Sequence, residues 1–306
     1  MAHDHGHTSG SGPSSRIRLA IALAITLTIL VAEVVGAIVT DSLALLVDAG
    51  HMLTDAAGLT AALVAASLMA RPATASLTWG YRRAEVLAAL GQAAVLLAVG
   101  IYALVEGVQR LFEPPSVPSS SLLVFGIIGL VGNAASLAVL SSERGTNLNF
   151  RAAFLEVLND ALGSVAVIVA ALVITFTGWA RADVVAGMLI AVLIVPRTIA
   201  LLRETTSVLL ESTPRGLDLD AVRVHMLELP HVKGVHDLHA SQIATGLPVL
   251  SAHVVVEQGC FEDGHAPRIL DDLQTCVLDH FSVPIEHSTF QLEPVTHQQH
   301  EHPGHD

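Results

Sequence analysis

The chain has 306 residues, 52% of them hydrophobic and only 14% charged, with a mean hydropathy of +0.61; this excludes an ordinary soluble domain and indicates a membrane protein. Fifteen basic against 28 acidic side chains leave a net charge of −13, concentrated after residue 204, which argues against nucleic acid and suits a cationic ligand. The two cysteines, Cys260 and Cys276, have no CxxC spacing, so neither a disulfide framework nor a thiolate zinc finger is indicated, and both read as packed or free thiols.

Residues 1–16 form a His-rich polar segment without the basic region and apolar core of a cleaved signal, and read as a tail. Six apolar stretches of spanning length follow, at 17–39, 42–70, 83–112, 121–141, 150–177 and 182–202. Turn-forming residues separate them: Thr40-Asp41, Arg71-Pro72, Pro114-Pro115, Gly145 and Thr177-Gly178. Pro196 falls inside the sixth stretch, where its missing backbone donor is expected to interrupt or kink the helix. One set of connecting segments holds Arg16, Arg18, Arg71, Arg82, Arg83, Arg144, Arg151, Arg203 and Arg215, and the opposite set only Arg110 and Arg181. The positive-inside rule then puts both termini in the cytoplasm, with the inner membrane of a bacterium as the expected location.

Polar residues return after about residue 210. A helix is expected at 219–228, strands at 235–242 and 249–257 joined by the turn TGLP, a second helix at 266–280 and a last strand at 286–293. The order αββαβ suits a small α+β domain with its helices on one sheet face. The chain thus divides into the tail 1–16, a transport domain of six membrane helices at 17–210, a cytoplasmic domain at 211–294 and a His-rich tail at 295–306.

The chemistry concentrates in two helices. The segment DAGHMLTD, residues 48–55, puts Asp48, His51 and Asp55 on one helix face. Glu156 and Asp160 repeat the four-residue spacing in the fifth stretch. Ionisable groups at membrane depth are expensive and usually mark an ion or proton pathway. Two such pairs can converge as four ligands for a divalent metal ion, His51, Asp55, Glu156 and Asp160. The competing reading is a hydrogen-bond clamp between helices. Asp48 is expected to accept a hydrogen bond from His51 and orient it, and Asn159 to contact the cavity without binding. Glu33 and Glu106 read as interhelical or interfacial residues, and Asn133 as a packing amide.

Several segments together resemble the cation diffusion facilitator family: SLALLVDAGHMLTDAAGL at 42–59, WGYRRAEVLAAL at 79–90, NDALGSVAVI at 159–168, LLESTP at 209–214 and VHDLHA at 235–240. The resemblance covers nearly everything except the tails. It implies a six-helix membrane bundle with a ferredoxin-like cytoplasmic domain, and proton-coupled export of divalent metal by a homodimer that is not an enzyme. It puts the transport ligands on His51 and Asp55 of the second helix and Glu156 and Asp160 of the fifth. It also implies a cytoplasmic metal site on His236, His253, His265 and Glu293, with Gln291 as a further candidate, where a bound zinc would act as a regulator.

Glu156 stands where zinc-transporting relatives commonly carry His. A site of one imidazole and three carboxylates is harder and more anionic, which narrows the lead of zinc over iron, manganese, cobalt and nickel. Such carboxylates repel when packed together, and metal entry must displace their protons. Antiport then needs no ATP, in keeping with the lack of a GxxxxGK[ST] phosphate loop. The expected partners are a second copy of the chain, metal ions, protons and lipid. A membrane metal sensor signalling through its soluble domain is the alternative. An intramembrane metallohydrolase is disfavoured by the lack of HExxH. The terminal histidines, His3, His5, His7, His297, His300, His302 and His305, are expected to collect metal loosely and carry no transport role.

Overall fold

The structure, a computed structural model, describes residues 13–141 and 148–297. The expected break at Gly145 and the terminal histidines other than His297 lie outside these residues. Six long helices come first: α1 (Pro13–Thr40), α2 (Leu43–Met69), α3 (Ala84–Phe112), α4 (Ser119–Ser141), α5 (Leu148–Thr177) and α6 (Arg181–Leu209). Among the described residues, α1 and α3 to α6 are long and apolar enough to cross a membrane. The 27 residues of α2 are also long enough, but Asp48, His51 and Asp55 lower its hydropathy. The helices stop where the sequence loses its ability to continue them: Asp41 and Gly178 take left-handed backbone angles, φ 52° and 70°.

The described residues form two compact units, one from helix segments up to Thr60 and from Gly91 to Ala200, the other from Ala61–Leu90 and the chain after Leu201. In the first, apolar surface alone gives helices no reason to associate in lipid, so close packing has to do it. Small residues let the backbones approach. A Cβ on Gly132 of α4 would sit 2.6 Å from Ile29 of α1, and one on Gly100 of α3 would sit 2.6 Å from Val195 of α6. Leu43, Leu45 and Val47 of α2 pack with Ala103 of α3, Val167 and Ala171 of α5 and Val184 of α6 in one buried cluster. At its edge, Asp183 of α6 is completely buried. It accepts hydrogen bonds from the Ser42 hydroxyl and, at 2.7 Å, from the Leu43 amide, so it caps α2 from across the bundle. Arg110 of α3 ties down the preceding turn by donating to the Asp41 carbonyl and carboxylate at 2.7 and 2.9 Å.

Pro196 does not end α6, which continues to Leu209. The Thr198 hydroxyl donates to the Ile194 carbonyl at 3.0 Å nearby, and interior proline is tolerated in membrane helices, where packing neighbours offset the lost backbone bond.

The second unit holds the C-terminal domain: α7 (Leu219–Leu227), β1 (Val232–Ala244), β2 (Leu247–Val256), α8 (Ala266–Asp279) and β3 (His287–Pro294). The order αββαβ is as expected, but β1 starts three residues early and runs to Ala244. Gly246, at φ 72°, supplies the left-handed residue that lets the turn close at Thr245-Gly246. The sheet order is β1-β2-β3, with β1 and β2 antiparallel and β2 and β3 parallel. Ile269, Leu273 and Val277 of α8 and Val222 and Met226 of α7 bury one sheet face. Asp218 caps α7 by accepting from the amides of Asp220 and Ala221.

Candidate metal centre

The phase of α2 carries His51 and Asp55 to one face, and that of α5 carries Asp160 to meet them. His51 Nε2 lies 3.4 Å from Asp55 Oδ2 and 3.9 Å from Asp160 Oδ1. One ligand atom from each lies within 4.8 Å of the others. The His51–Asp160 separation, the one that crosses between the two helices, exceeds a hydrogen bond, so this contact does not clamp them. Moreover His51 Nδ1, Asp55 Oδ2 and Asp160 Oδ1 are buried without hydrogen-bond partners. Buried polar atoms are nearly always satisfied. Asp55 Oδ2 and Asp160 Oδ1 are orphans facing His51 Nε2, and a cation with bonds of about 2.0–2.2 Å would satisfy them after a small contraction.

Glu156 is half-buried and falls outside the group of three. It sits one turn before Asp160, near enough to interact electrostatically with Asp55 and His51. Asn159 is exposed. Asp48 is 2% exposed but does not orient the imidazole, because His51 Nδ1 has no hydrogen-bond partner. It is drawn elsewhere by packing: its Oδ1 occupies the space a Cβ on Gly163 would need, 2.7 Å away.

The residue that sequence reasoning undervalued is Glu33, the one acid in α1, which is 1% exposed. Its carboxyl group lies close to that of Asp48, and Glu33 Oε2 and Asp48 Oδ2 are buried without hydrogen-bond partners. A Cβ on Gly129 would meet Glu33 Oε1 at 3.0 Å and Ser164 Oγ at 2.7 Å. Asn133, fully buried, donates to Ser164 at 3.4 Å. A polar strip therefore leads away from the three-residue group between α1, α2, α4 and α5. The signal for it was the lone acid in an otherwise apolar span.

In the C-terminal domain, the register pairs His236 with His253 across β1 and β2 and sets Glu293 of β3 beside Val255. His236 Nε2 is 2.6 Å from Glu293 Oε1 and His253 Nδ1 is 3.7 Å from Glu293 Oε2. Gln291 donates to Glu293 at 3.4 Å. His265, expected with them, is not brought there. It pairs with Asp263 at 2.7 Å and stacks 5.3 Å from the His231 ring, because it lies at the start of α8 beyond the end of β2.

Comparison with known proteins extends these findings. The cation efflux transmembrane domain model matches residues 19–210, and the cation efflux protein cytoplasmic domain model matches residues 214–295. The chain is 42% identical over 264 residues to the metal cation efflux system protein CzcD of Cupriavidus metallidurans, covering 86% of this chain and 82% of that protein. It is 36% identical over 270 residues to a cadmium, cobalt and zinc/H(+)-K(+) antiporter of Bacillus subtilis, covering 88% and 86%. It is 38% identical over 268 residues to the zinc transporter ZitB of Escherichia coli, covering 86% and 83%.

Proposed function

This chain belongs to the cation efflux family, the cation diffusion facilitators, and we propose that it exports divalent transition-metal ions from the cytoplasm in exchange for protons. It is a multi-pass membrane transporter, not an enzyme. The observation that carries the reading is the convergence of His51, Asp55 and Asp160 on two membrane helices, with Asp55 Oδ2 and Asp160 Oδ1 buried and unsatisfied. An ion entering this group replaces protons, since carboxylates and imidazole bind metal only when deprotonated. Protons arriving from the far side reverse the exchange, so alternate exposure of the group couples metal efflux to proton entry.

Zinc is the leading cargo, with cadmium and cobalt next, as the names of its relatives suggest. Glu156 acts on this choice from the rim of the group. A carboxylate there favours harder ions than an imidazole would. Glu156→His is expected to raise the zinc-to-manganese transport ratio about tenfold, a change of about 1.4 kcal/mol. Metal uptake into everted vesicles under an imposed pH gradient, run across zinc, cadmium, cobalt, nickel, manganese and iron, tests both ideas. Uptake that ignores the pH gradient rejects the exchange, and an unchanged metal ratio in the variant rejects the role of Glu156.

Glu33 and Asp48 serve this reading as proton carriers beside the cargo group. Glu33→Gln keeps the size and shape of the side chain but removes one exchangeable proton. Proton-driven flux is expected to fall at least tenfold, about 1.4 kcal/mol on the rate-limiting step, while zinc affinity measured by calorimetry stays within about twofold. A parallel loss of affinity instead would make Glu33 a part of metal binding.

The chain acts as a homodimer joined through its C-terminal domain, in the inner membrane with both termini cytoplasmic. The trio His236, His253 and Glu293 offers two imidazoles and a carboxylate, a donor set that fits a regulatory zinc.

A further inference from the structure

We propose that His231, Glu257 and Cys260 form a second cytoplasmic metal site, one with a thiolate ligand, taking zinc, cobalt or cadmium independently of the His236, His253 and Glu293 trio. One ligand atom from each of the three lies within 4.8 Å of the others. The sheet register builds this. Val232 pairs with Val256 as the outermost rung of β1 and β2, and the Glu257 amide donates to the His231 carbonyl at 3.1 Å, so the next residue of each strand faces the other. A turn of 3-10 helix, Gln258–Phe261, then folds Cys260 back beneath them. Five residue steps separate His231 from His236, about 16 Å at about 3.3 Å per residue of extended chain, too far for one ion to serve both groups.

Each partner is placed for coordination. His231 holds a left-handed backbone angle, φ 68°, a conformation a β-carbon disfavours and one often retained where a side chain must be aimed. Its Nδ1 is 2.9 Å from Glu257 Oε2, so a proton now occupies the line between them. Lys233 takes the other carboxylate oxygen, Oε1, at 2.6 Å, and with His231 it holds Glu257 below the usual glutamic acid range. The carboxylate is thus an anion with both oxygens engaged, and Oε2, now paired with His231, is the one that would turn to a metal. Cys260 is 2% exposed, and burial together with Asp263 and Glu257 pushes its thiol up. Cysteine binds metal as the thiolate, so the Cys260 proton leaves when a metal enters. His265, whose ring centroid is 5.3 Å from that of His231, is a further imidazole close to the group. Imidazole, carboxylate and thiolate together suit zinc, cobalt and cadmium and disfavour manganese and magnesium. An ion here staples the start of β1 to the connection before α8.

Cobalt titration of the full-length protein in detergent micelles tests the site, because a thiolate bound to Co(II) gives a near-ultraviolet charge-transfer absorption that imidazole and carboxylate ligands do not. Wild type and Cys276→Ser are expected to show the absorption, and Cys260→Ser to lose it. Cys260 lies in the core, so His231→Ala, a change at a largely exposed side chain, supplies a second reading. It is expected to weaken cobalt binding at this absorption at least tenfold while leaving zinc transport in vesicles unchanged. Absence of the absorption from folded wild type, its loss in Cys276→Ser, or an unchanged titration in His231→Ala overturns the proposal.

Discussion

Replacing Asp160 with alanine is expected to abolish metal-driven proton flux while leaving the protein folded and dimeric, and Asp55→Ala to do the same. Removing one of three charged or imidazole donors costs more than disturbing a partner behind a ligand, which alone typically costs 10–100-fold. A loss of at least about a hundredfold in flux is therefore expected. Stability should move the other way or not at all. Asp160 Oδ1 is buried without a hydrogen-bond partner, so deleting the carboxylate removes an uncompensated desolvation cost and takes away no bond that holds α5 to α2. Function and fold are thus separable at this position, as expected where a polar cluster exists to hold a cargo. The measurement is zinc-driven pH change inside proteoliposomes, with size exclusion and thermal unfolding in micelles as companions. Full flux in either variant would remove that residue from the transport group. Loss of flux accompanied by unfolding would return it to a structural role.

Long apolar runs are legible because the bilayer imposes length and composition directly, so all six stretches of spanning length could be read from the sequence. The pairing of His51 with Asp55 was equally legible, since i, i+4 on one helix needs no tertiary information. What lay across helices was not. Nothing in the spacing of Glu33 and Asp48 says that α1 and α2 bring them together, and a local rule suggested His51 as the partner of Asp48 instead. Gly163 decided the matter by leaving room for that carboxylate on α5. The same limit explains His265. A resemblance in linear order assigned it to the trio, whereas the length of β2 carries it past the trio to His231. Pro196 exposes a different gap, since the rule against interior proline holds for helices in water and α6 keeps its path among packing neighbours.

The largest expected effect on stability comes from Asp183, which touches none of the cargo donors. Its carboxylate accepts from the Ser42 hydroxyl and the Leu43 amide and interacts also with the Ala44 amide, and it is fully buried from solvent. These amides are the unsatisfied donors that open every helix, and the negative charge complements the positive end of the α2 dipole. Asp183→Ala leaves them buried without an acceptor beside a small void. The expected cost is about 2–5 kcal/mol, the range for breaking a buried, charge-assisted network by removing one partner. Asp183→Asn keeps one acceptor oxygen but loses the charge, and a smaller cost of about 1–2 kcal/mol follows. Ser42→Ala removes only one donor and should cost about 1 kcal/mol. In thermal unfolding of the micellar protein, Asp183→Ala should be the most damaging change, Asp183→Asn the next and Ser42→Ala the mildest. That ranking is the signature of a cap, because a purely packing residue would respond to volume and treat asparagine as neutral. Zinc transport per folded molecule should be retained in Ser42→Ala, since the cap fixes where α2 begins and two helical turns separate it from His51. An Asp183→Ala protein as stable as wild type would show that α2 is held by its lipid-facing and glycine contacts alone.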